Sequence, residues 1–326
     1  MEKIKINFDN ITLNKLNEDM VTFNFSGNNN KINKNKFLNT LLKNYFPIYD
    51  ELANSHIEKC FKIITTHMND DKRANNIIND LIKNDSLFAF NKKDNLKSFI
   101  SFKPSIANQN IIEIIQNKYL NYQSLSSFFR NMIENYLSLP QYKREQIIFY
   151  ENYQLIQEAI SSQRKISISI KGQRKEITPY KIVTNKEEIY NYLVYFITSN
   201  NQCHISSYHL YKIDHVYLCR EKNIPPHEIE SLLYKVANNY PQFPFSKQEY
   251  SIIKLSDRGV KLFSTKYLNR PTPYKIENNL YYFDCSQSQL LVYFFSYGKD
   301  AQIIEPLELK ELFKSKYLEA YNSYIE

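Results

Sequence analysis

The sequence predicts an α+β chain in three parts: a strand–helix–helix unit present twice, a run of five short strands, and a strand–helix–strand–strand–helix–strand segment. The duplication rests on two matched segments. Phe37-Leu38-Asn39-Thr40-Leu41-Leu42-Lys43-Asn44-Tyr45-Phe46 aligns without a gap to Phe128-Phe129-Arg130-Asn131-Met132-Ile133-Glu134-Asn135-Tyr136-Leu137, and each copy ends in Asn-Tyr and an apolar residue. A short alternating run precedes each: Ile4-Lys5-Ile6-Asn7-Phe8 and Ser98-Phe99-Ile100-Ser101-Phe102. The five strands rest on apolar runs broken by Gly172-Gln173 and Ser199-Asn200-Asn201. The last segment rests on apolar alternation that changes to helical spacing twice after Pro244.

The first part covers residues 1–140. In Lys3–Phe8 a period of two sets Ile4, Ile6 and Phe8 inward and Lys3, Lys5 and Asn7 outward. Leu13, Leu16, Met20 and Phe23 follow at helical spacing, and Ser26–Asn30 reads as a turn. Asn33 is suited to cap a helix carrying Phe37, Leu38, Leu41, Leu42 and Tyr45, which Pro47 should end or bend. A helical connection over 48–84 presents Leu52, Ile57, Cys60, Phe61 and Ile64 on one face. The second copy then reads as strand Ser98–Lys103, a helix near Ile111–Tyr119, and a repeat helix capped by Ser124. A lone strand has two unpaired edges, so each copy requires the other, and antiparallel pairing of the two strands is the expected solution.

This arrangement resembles the ribbon-helix-helix family, in which two strands form a ribbon that enters the major groove of DNA. The groove admits a two-stranded ribbon and displays a distinct donor and acceptor pattern for each base pair. The resemblance implies that Lys3, Lys5 and Asn7 read bases from the first copy, with Lys97, Phe99, Ser101 and Lys103 at the matching outward positions of the second. It also aims the helix start at Lys34-Asn35-Lys36, and its counterpart at Ser124 and Ser126, towards backbone phosphates. Phe99 stands where the first copy has Lys5, so the second strand can pair with the first or stack on an unpaired base.

The second part, residues 141–222, opens with a helix from Lys143 through Ile160. Five strands follow: Lys165–Lys171, Glu176–Val183, Glu188–Ile197, His204–His209 and Ile213–Cys219. This order suggests a small Sm- or SH3-like barrel. Lys175 lies four residues before Pro179, then come Asn191-Tyr192-Leu193 and Tyr208-His209-Leu210-Tyr211-Lys212-Ile213. In order, spacing and apolar character this resembles the WYL domain, with Asn191, His209, Tyr211, Lys175 and Lys212 departing from its usual residues. The resemblance implies a regulatory barrel that senses a nucleotide or oligonucleotide ligand through Lys175, Tyr192, His209 and Lys212. Lysine in place of arginine removes bidentate phosphate recognition.

In the third part, residues 223–326, Pro225-Pro226 starts a helix with Ile229, Leu232, Leu233 and Val236. The βαββαβ order then runs Tyr250–Leu255, Asp257–Leu268, Tyr274–Glu277, Leu280–Cys285, Ser288–Tyr297 and Gln302–Glu305, and a last helix begins at Pro306. This suggests a ferredoxin-like sandwich. It resembles the C-terminal extension that follows WYL domains, which implies a homodimer formed through this part.

Composition narrows the function. The chain has 326 residues, 43% of them apolar, and a formal charge of +8, which favours an anionic partner. Four scattered cysteines without CxxC spacing fit a reducing, cytoplasmic setting. No run approaches the roughly 20 apolar residues of a membrane span. The four glycines are isolated, so no phosphate-cradling loop is present, and the His56/Cys60 pair has no further ligands nearby in sequence. No catalytic residue, metal site or cofactor is expected. The leading reading is a transcription regulator on double-stranded DNA whose ligand alters affinity. Alternatively, the pairing of the two resemblances is similar to the ribbon-helix-helix/WYL accessory proteins of type VI CRISPR systems, which implies single-stranded-RNA binding and enhancement of an RNA-guided CRISPR effector ribonuclease. A third reading is a protein–protein adaptor whose charge is incidental.

Overall fold

The computed structural model describes residues 2–25, 31–67, 70–84, 96–119, 124–185, 189–199 and 202–325. The Ser26–Asn30 turn, Asn200-Asn201 and Glu188 lie outside them. The protein is mixed α+β and divides into two compact units, Met1–Glu151 and Asn152–Glu326.

The first unit contains β1 (Ile4–Phe8), α1 (Asn10–Thr22), α2 (Lys34–His67), α3 (Asp71–Asn84), β2 (Ser98–Phe102), α4 (Gln109–Tyr119), α5 (Leu125–Ser138) and α6 (Gln141–Ile148). β1 and β2 pair antiparallel, as their patterns require, in the register Ile4↔Phe102, Lys5↔Ser101, Ile6↔Ile100, Asn7↔Phe99 and Phe8↔Ser98. Ile6 therefore faces Ile100, its own counterpart in the other copy, so the ribbon has a local two-fold axis at that pair. The repeat helices obey the same symmetry. The Asn33 side chain accepts from the Lys36 N–H at 2.9 Å, and Ser124 does the same for Ser127. α5 lies against β1, while α2 and α1 lie against β2, so each copy's strand is covered by the other copy's repeat helix. Ile6, Phe8, Ile100 and Phe102 are buried beneath them with Phe37, Leu41, Phe128 and Phe129.

Of the end or bend expected at Pro47, the end is not observed: α2 runs through it to His67. Pro47 removes one N–H from the ladder. Continuing the helix, however, buries Tyr49 and Ala53, and sets Phe46 and Tyr49 against Phe128. Of the connecting face, Leu52 and Phe61 are exposed, while Ile57, Cys60 and Ile64 are half-buried. The predicted helix Lys143–Ile160 is two, α6 and α7 (Tyr150–Ser161). They break at Phe149, whose ring reaches Phe23 and Phe25.

The second unit continues from α7 with β3 (Arg164–Ile170), β4 (Gln173–Thr184), β5 (Asn191–Ser199), β6 (Gln202–His209), β7 (His215–Lys222) and α8 (His227–Asn238). These strands form one antiparallel sheet in the order β6-β5-β4-β3-β7. It is not the closed barrel expected: β6 and β7 are its two edges, and the short 3-10 turn Leu210–Lys212 carries the chain from one edge to the other. A bulge between Pro179 and Lys181 bends β4, which pairs with β3 through its first half and β5 through its second.

Next come β8 (Tyr250–Leu255), α9 (Asp257–Thr265), β9 (Pro273–Glu277), β10 (Leu280–Asp284), α10 (Gln287–Phe294), β11 (Ala301–Glu305) and α11 (Leu307–Asn322). This is the βαββαβ order read from sequence. The four strands lie β11-β8-β10-β9 with every neighbour antiparallel. Gly259 in α9 is required by close approach, since a Cβ there would stand 2.3 Å from the Asp300 carbonyl oxygen.

One buried charge pair holds the first unit's helices. Arg144 donates from Nε and Nη2 to the two oxygens of Asp19, each at 2.7 Å, and from Nη1 to the Leu139 carbonyl. Tyr136 donates to the same carboxylate at 2.9 Å. Removing one partner strands a buried charge. Arg144→Ala should lower the unfolding free energy by about 3–5 kcal/mol, read from urea denaturation. The double variant Asp19→Leu/Arg144→Met should recover much of that loss, and an unchanged midpoint in Arg144→Ala would show that the pair does not hold α6 to α1.

Candidate nucleic-acid interface

The outward face of the ribbon is built from alternate residues of β1 and β2. Lys3, Lys5, Lys97, Phe99, Ser101 and Lys103 are exposed, and Asn7 is half-buried. Across the ladder Lys5 stands opposite Ser101 and Asn7 opposite Phe99. Phe99 is 57% exposed, and the Lys5 ammonium sits 4.2 Å from its ring centre. This diagonal cation–π contact presents a flat aromatic face and a positive charge together near the two-fold axis.

The two flanks of the ribbon differ. Beside β1, a cleft of about 330 Å³ is lined by Glu2, Lys3, Lys5, Gln116 and the first turn of α5 at Leu125 and Ser126. The start of a helix carries partial positive charge, so this cleft joins a dipole to two lysines. The Ser126 hydroxyl there has no hydrogen-bond partner among the described residues, whereas Ser124 is engaged as the cap of α5. At the other flank the first turn of α2 is occupied by the protein's own backbone. Asn35 accepts from the Lys103 N–H at 2.7 Å, Asn39 donates to the Lys103 carbonyl at 3.0 Å, and Asn39 also accepts from the Ser105 N–H at 2.7 Å. Lys34 is exposed beside them. Asn35 thus has a positioning job at the end of β2.

Sequence reasoning missed Asn39 and its repeat counterpart Arg130. Arg130 is buried and donates from Nε to the Asn7 carbonyl at 2.8 Å, as Asn39 does to Lys103. Both sit at the third position of the repeat, and their unlike side chains hid the shared role.

In the second unit, Tyr192 faces His209 across the β5–β6 ladder, with ring centres 4.3 Å apart. Tyr190 and Tyr211 complete the surround of His209, at 5.2 and 5.1 Å, and Lys212 reaches over Tyr211 at 5.7 Å. The His209 Nδ1 is buried without a hydrogen-bond partner among the described residues. Burial, reinforced by the Lys212 charge, holds the imidazole down to about 4 from its usual 6.5. Lys175 does not join this group. It lies 5.7 Å over Tyr195, which stacks on Tyr208. Tyr192 and Tyr195 are an odd number of residues apart on a regularly paired strand, so they point to opposite faces. Tyr190 was legible as the i−2 neighbour of Tyr192; Tyr211 was readable only once the turn after β6 was known. Among the described residues no three His, Cys, Asp or Glu side chains gather as metal ligands, and no helix is long and apolar enough to cross a membrane.

No family model matches the chain, and no curated protein matches it. Among solved structures, the crystal structure of a CRISPR Cas-related protein aligns over 99% of this chain and 94% of that one, at 18% identity and a TM-score of 0.71. The two share a fold. Proteasome accessory factor B/C (PafBC) of Arthrobacter aurescens aligns over 58% of this chain and 30% of that one at 13% identity, with a TM-score of 0.26, too low to carry an argument.

The histidine environment predicts a pH dependence. Between pH 4 and 6.5 the unfolded chain binds a proton at this residue that the folded chain refuses. Stability from His209 is therefore present above pH 6.5 and falls as pH drops through that window. His209→Phe should flatten the fall by on the order of 1–2 kcal/mol, allowing for solvent screening of a half-buried ring. Urea midpoints at pH 7 and 5 measure it; parallel pH profiles for both proteins would show the ring is not held neutral.

Proposed function

We propose that this chain is a nucleic-acid-binding accessory or regulatory protein that contacts single-stranded RNA through the β1–β2 ribbon, and that it is not an enzyme. The observation that carries the reading is Phe99, exposed on the ribbon with the Lys5 ammonium against its ring. An aromatic face stacks on an unpaired base, and the adjoining cation favours phosphate. A formal charge of +8 and the lysine-lined cleft beside α5 support it. The fold shared with a CRISPR Cas-related protein is consistent with an accessory or regulatory role.

In this reading the first unit is a ribbon-helix-helix pair made from one chain. The five-stranded sheet is an open Sm-like, WYL-type sensor. Its ligand, a nucleotide or oligonucleotide, is received at His209 and Lys212, with the buried Tyr192 backing the His209 ring and Lys175 acting from the opposite face. The βαββαβ segment is ferredoxin-like and joins two copies, for which α11 offers exposed Leu312, Leu318 and Tyr321. A second reading, a double-stranded-DNA transcription regulator, is favoured by the two-fold register of the ribbon and the outward Lys5 and Asn7.

Anisotropy titrations of labelled single-stranded RNA and duplex DNA across a salt series test these readings. Phe99→Ala should weaken RNA binding by roughly tenfold, the scale of one lost base stack. Lys5→Ala should reduce the salt slope by about one phosphate's worth. Preference for duplex that is insensitive to Phe99 would select the DNA reading. Weak binding with no salt dependence would leave only a protein adaptor.

A further inference from the structure

Among the described residues, helices α9, α10 and α11 lie on one face of the four-stranded sheet of residues 250–305, and at one end of the other face Asp284 accepts from Lys235 of α8 at 2.6 Å. Ile253, Leu255, Tyr281 and Phe283 meet α9, α10 and α11 in a closed core. The opposite face is made by the alternate residues of the same strands. An uncovered antiparallel face normally carries polar side chains. This one carries tyrosines. Tyr250 on β8 is 54% exposed and Tyr274 on β9 is 59% exposed. Tyr274 touches both Tyr250 and Tyr282 of β10, with ring centres 6.2 Å apart in each case. Ile252, directly opposite Tyr282 in the ladder, is half-buried. The Lys275 ammonium lies 5.1 Å over Tyr282, and Lys254 is exposed on the neighbouring strand.

We infer that this face is a second single-stranded-RNA contact, with bases stacked on Tyr250, Tyr274 and Tyr282. Every base offers a π face, and an open four-stranded sheet bearing aromatics on its central strands is a recurrent platform for two or three of them. The lysines select this occupant over a second copy of the chain. Lysine is depleted from the centres of protein–protein contacts, whereas beside a stacked base it meets a phosphate. Lys275 is held by Glu277 at 2.8 Å, an exposed pair that opens at little cost. The inference is independent of the ribbon, since none of these residues belongs to the first unit.

The test uses the full-length chain carrying Lys5→Ala and Phe99→Ala, so that the ribbon's contribution is already removed. Anisotropy with a labelled oligouridylate should show residual binding, weakened roughly tenfold by Tyr282→Ala or Tyr250→Ala and left within about twofold by Tyr282→Phe, which keeps the ring. In the unsubstituted chain, RNA carrying 5-iodouridine should photocrosslink within residues 250–284. Absence of those crosslinks, or equal affinity of Tyr282→Ala and its parent, overturns the assignment. So does self-association through this face, in which Tyr282→Ala would dissociate a dimer by light scattering and leave RNA affinity unchanged. Affinity that responds to Tyr282 but not to Phe99 in the natural background would sink the ribbon reading alone; the reverse pattern would sink this one alone.

Discussion

The first unit depends on one backbone event, the antiparallel closure of β1 on β2. Neither strand has another partner in the two-stranded sheet, and their inward residues are buried only because helices from both copies cover them. The covering is crossed. α5 shields β1 and α2 shields β2, so neither copy completes a core by itself. The ends of the ladder are then fastened by Asn39 and Arg130 from the two repeat helices. Closing segments so far apart in sequence carries a large loop entropy. The buried aromatics of the repeat, Phe37, Tyr45, Phe128 and Tyr136, supply the apolar burial that opposes it.

The same repeat shows where the symmetry is broken. Tyr45 donates to Asn135, and the two-fold mate of that bond would join Tyr136 to Asn44. It does not form. Tyr136 turns instead to Asp19 and Arg144, and Asn44 donates to the carbonyls of Ile147 and Ile148. The continuation of the chain into α6 exists after the second copy only, so it captures one half of each pair. On the surface the ribbon becomes unequal in the same way. A lysine and a phenylalanine occupy matched positions and meet each other diagonally, which yields one composite contact rather than two equal ones.

In the second unit both sheets use strand alternation to separate tasks. β5 is buried on both sides. One side, at Val194 and Phe196, meets α8, and the other presents Tyr195 to Tyr208. The four residues nominated from sequence consequently divide between two faces. Tyr192 and Lys212 gather at the imidazole of His209, and Lys175 does not. The β11-β8-β10-β9 sheet keeps α9, α10 and α11 on one side and presents tyrosines on the other.

Much of this fold is legible in the sequence. Period-two alternation in Ile4–Phe8 and Ser98–Phe102 determined which residues face the core, because side chains on a strand must alternate. The 91-residue spacing of the repeat aligned the caps Asn33 and Ser124, because an N-cap needs only a local side chain and the next turn's N–H. The βαββαβ order was read from changes of period. Tertiary structure decided what depends on non-local burial. α2 continues through Pro47 because Tyr49 and Ala53 find a core beyond it. The helix after Pro140 breaks because the Phe149 ring has aromatic partners, Phe23 and Phe25, more than a hundred residues earlier. The five-stranded sheet is open because its edge strands β6 and β7 do not pair with each other, a long-range outcome that no local pattern reports. Lys175 and His209 fall on opposite faces because the parity of Tyr192 and Tyr195 sets direction, and no local pattern reports which of those faces a distant lysine will meet.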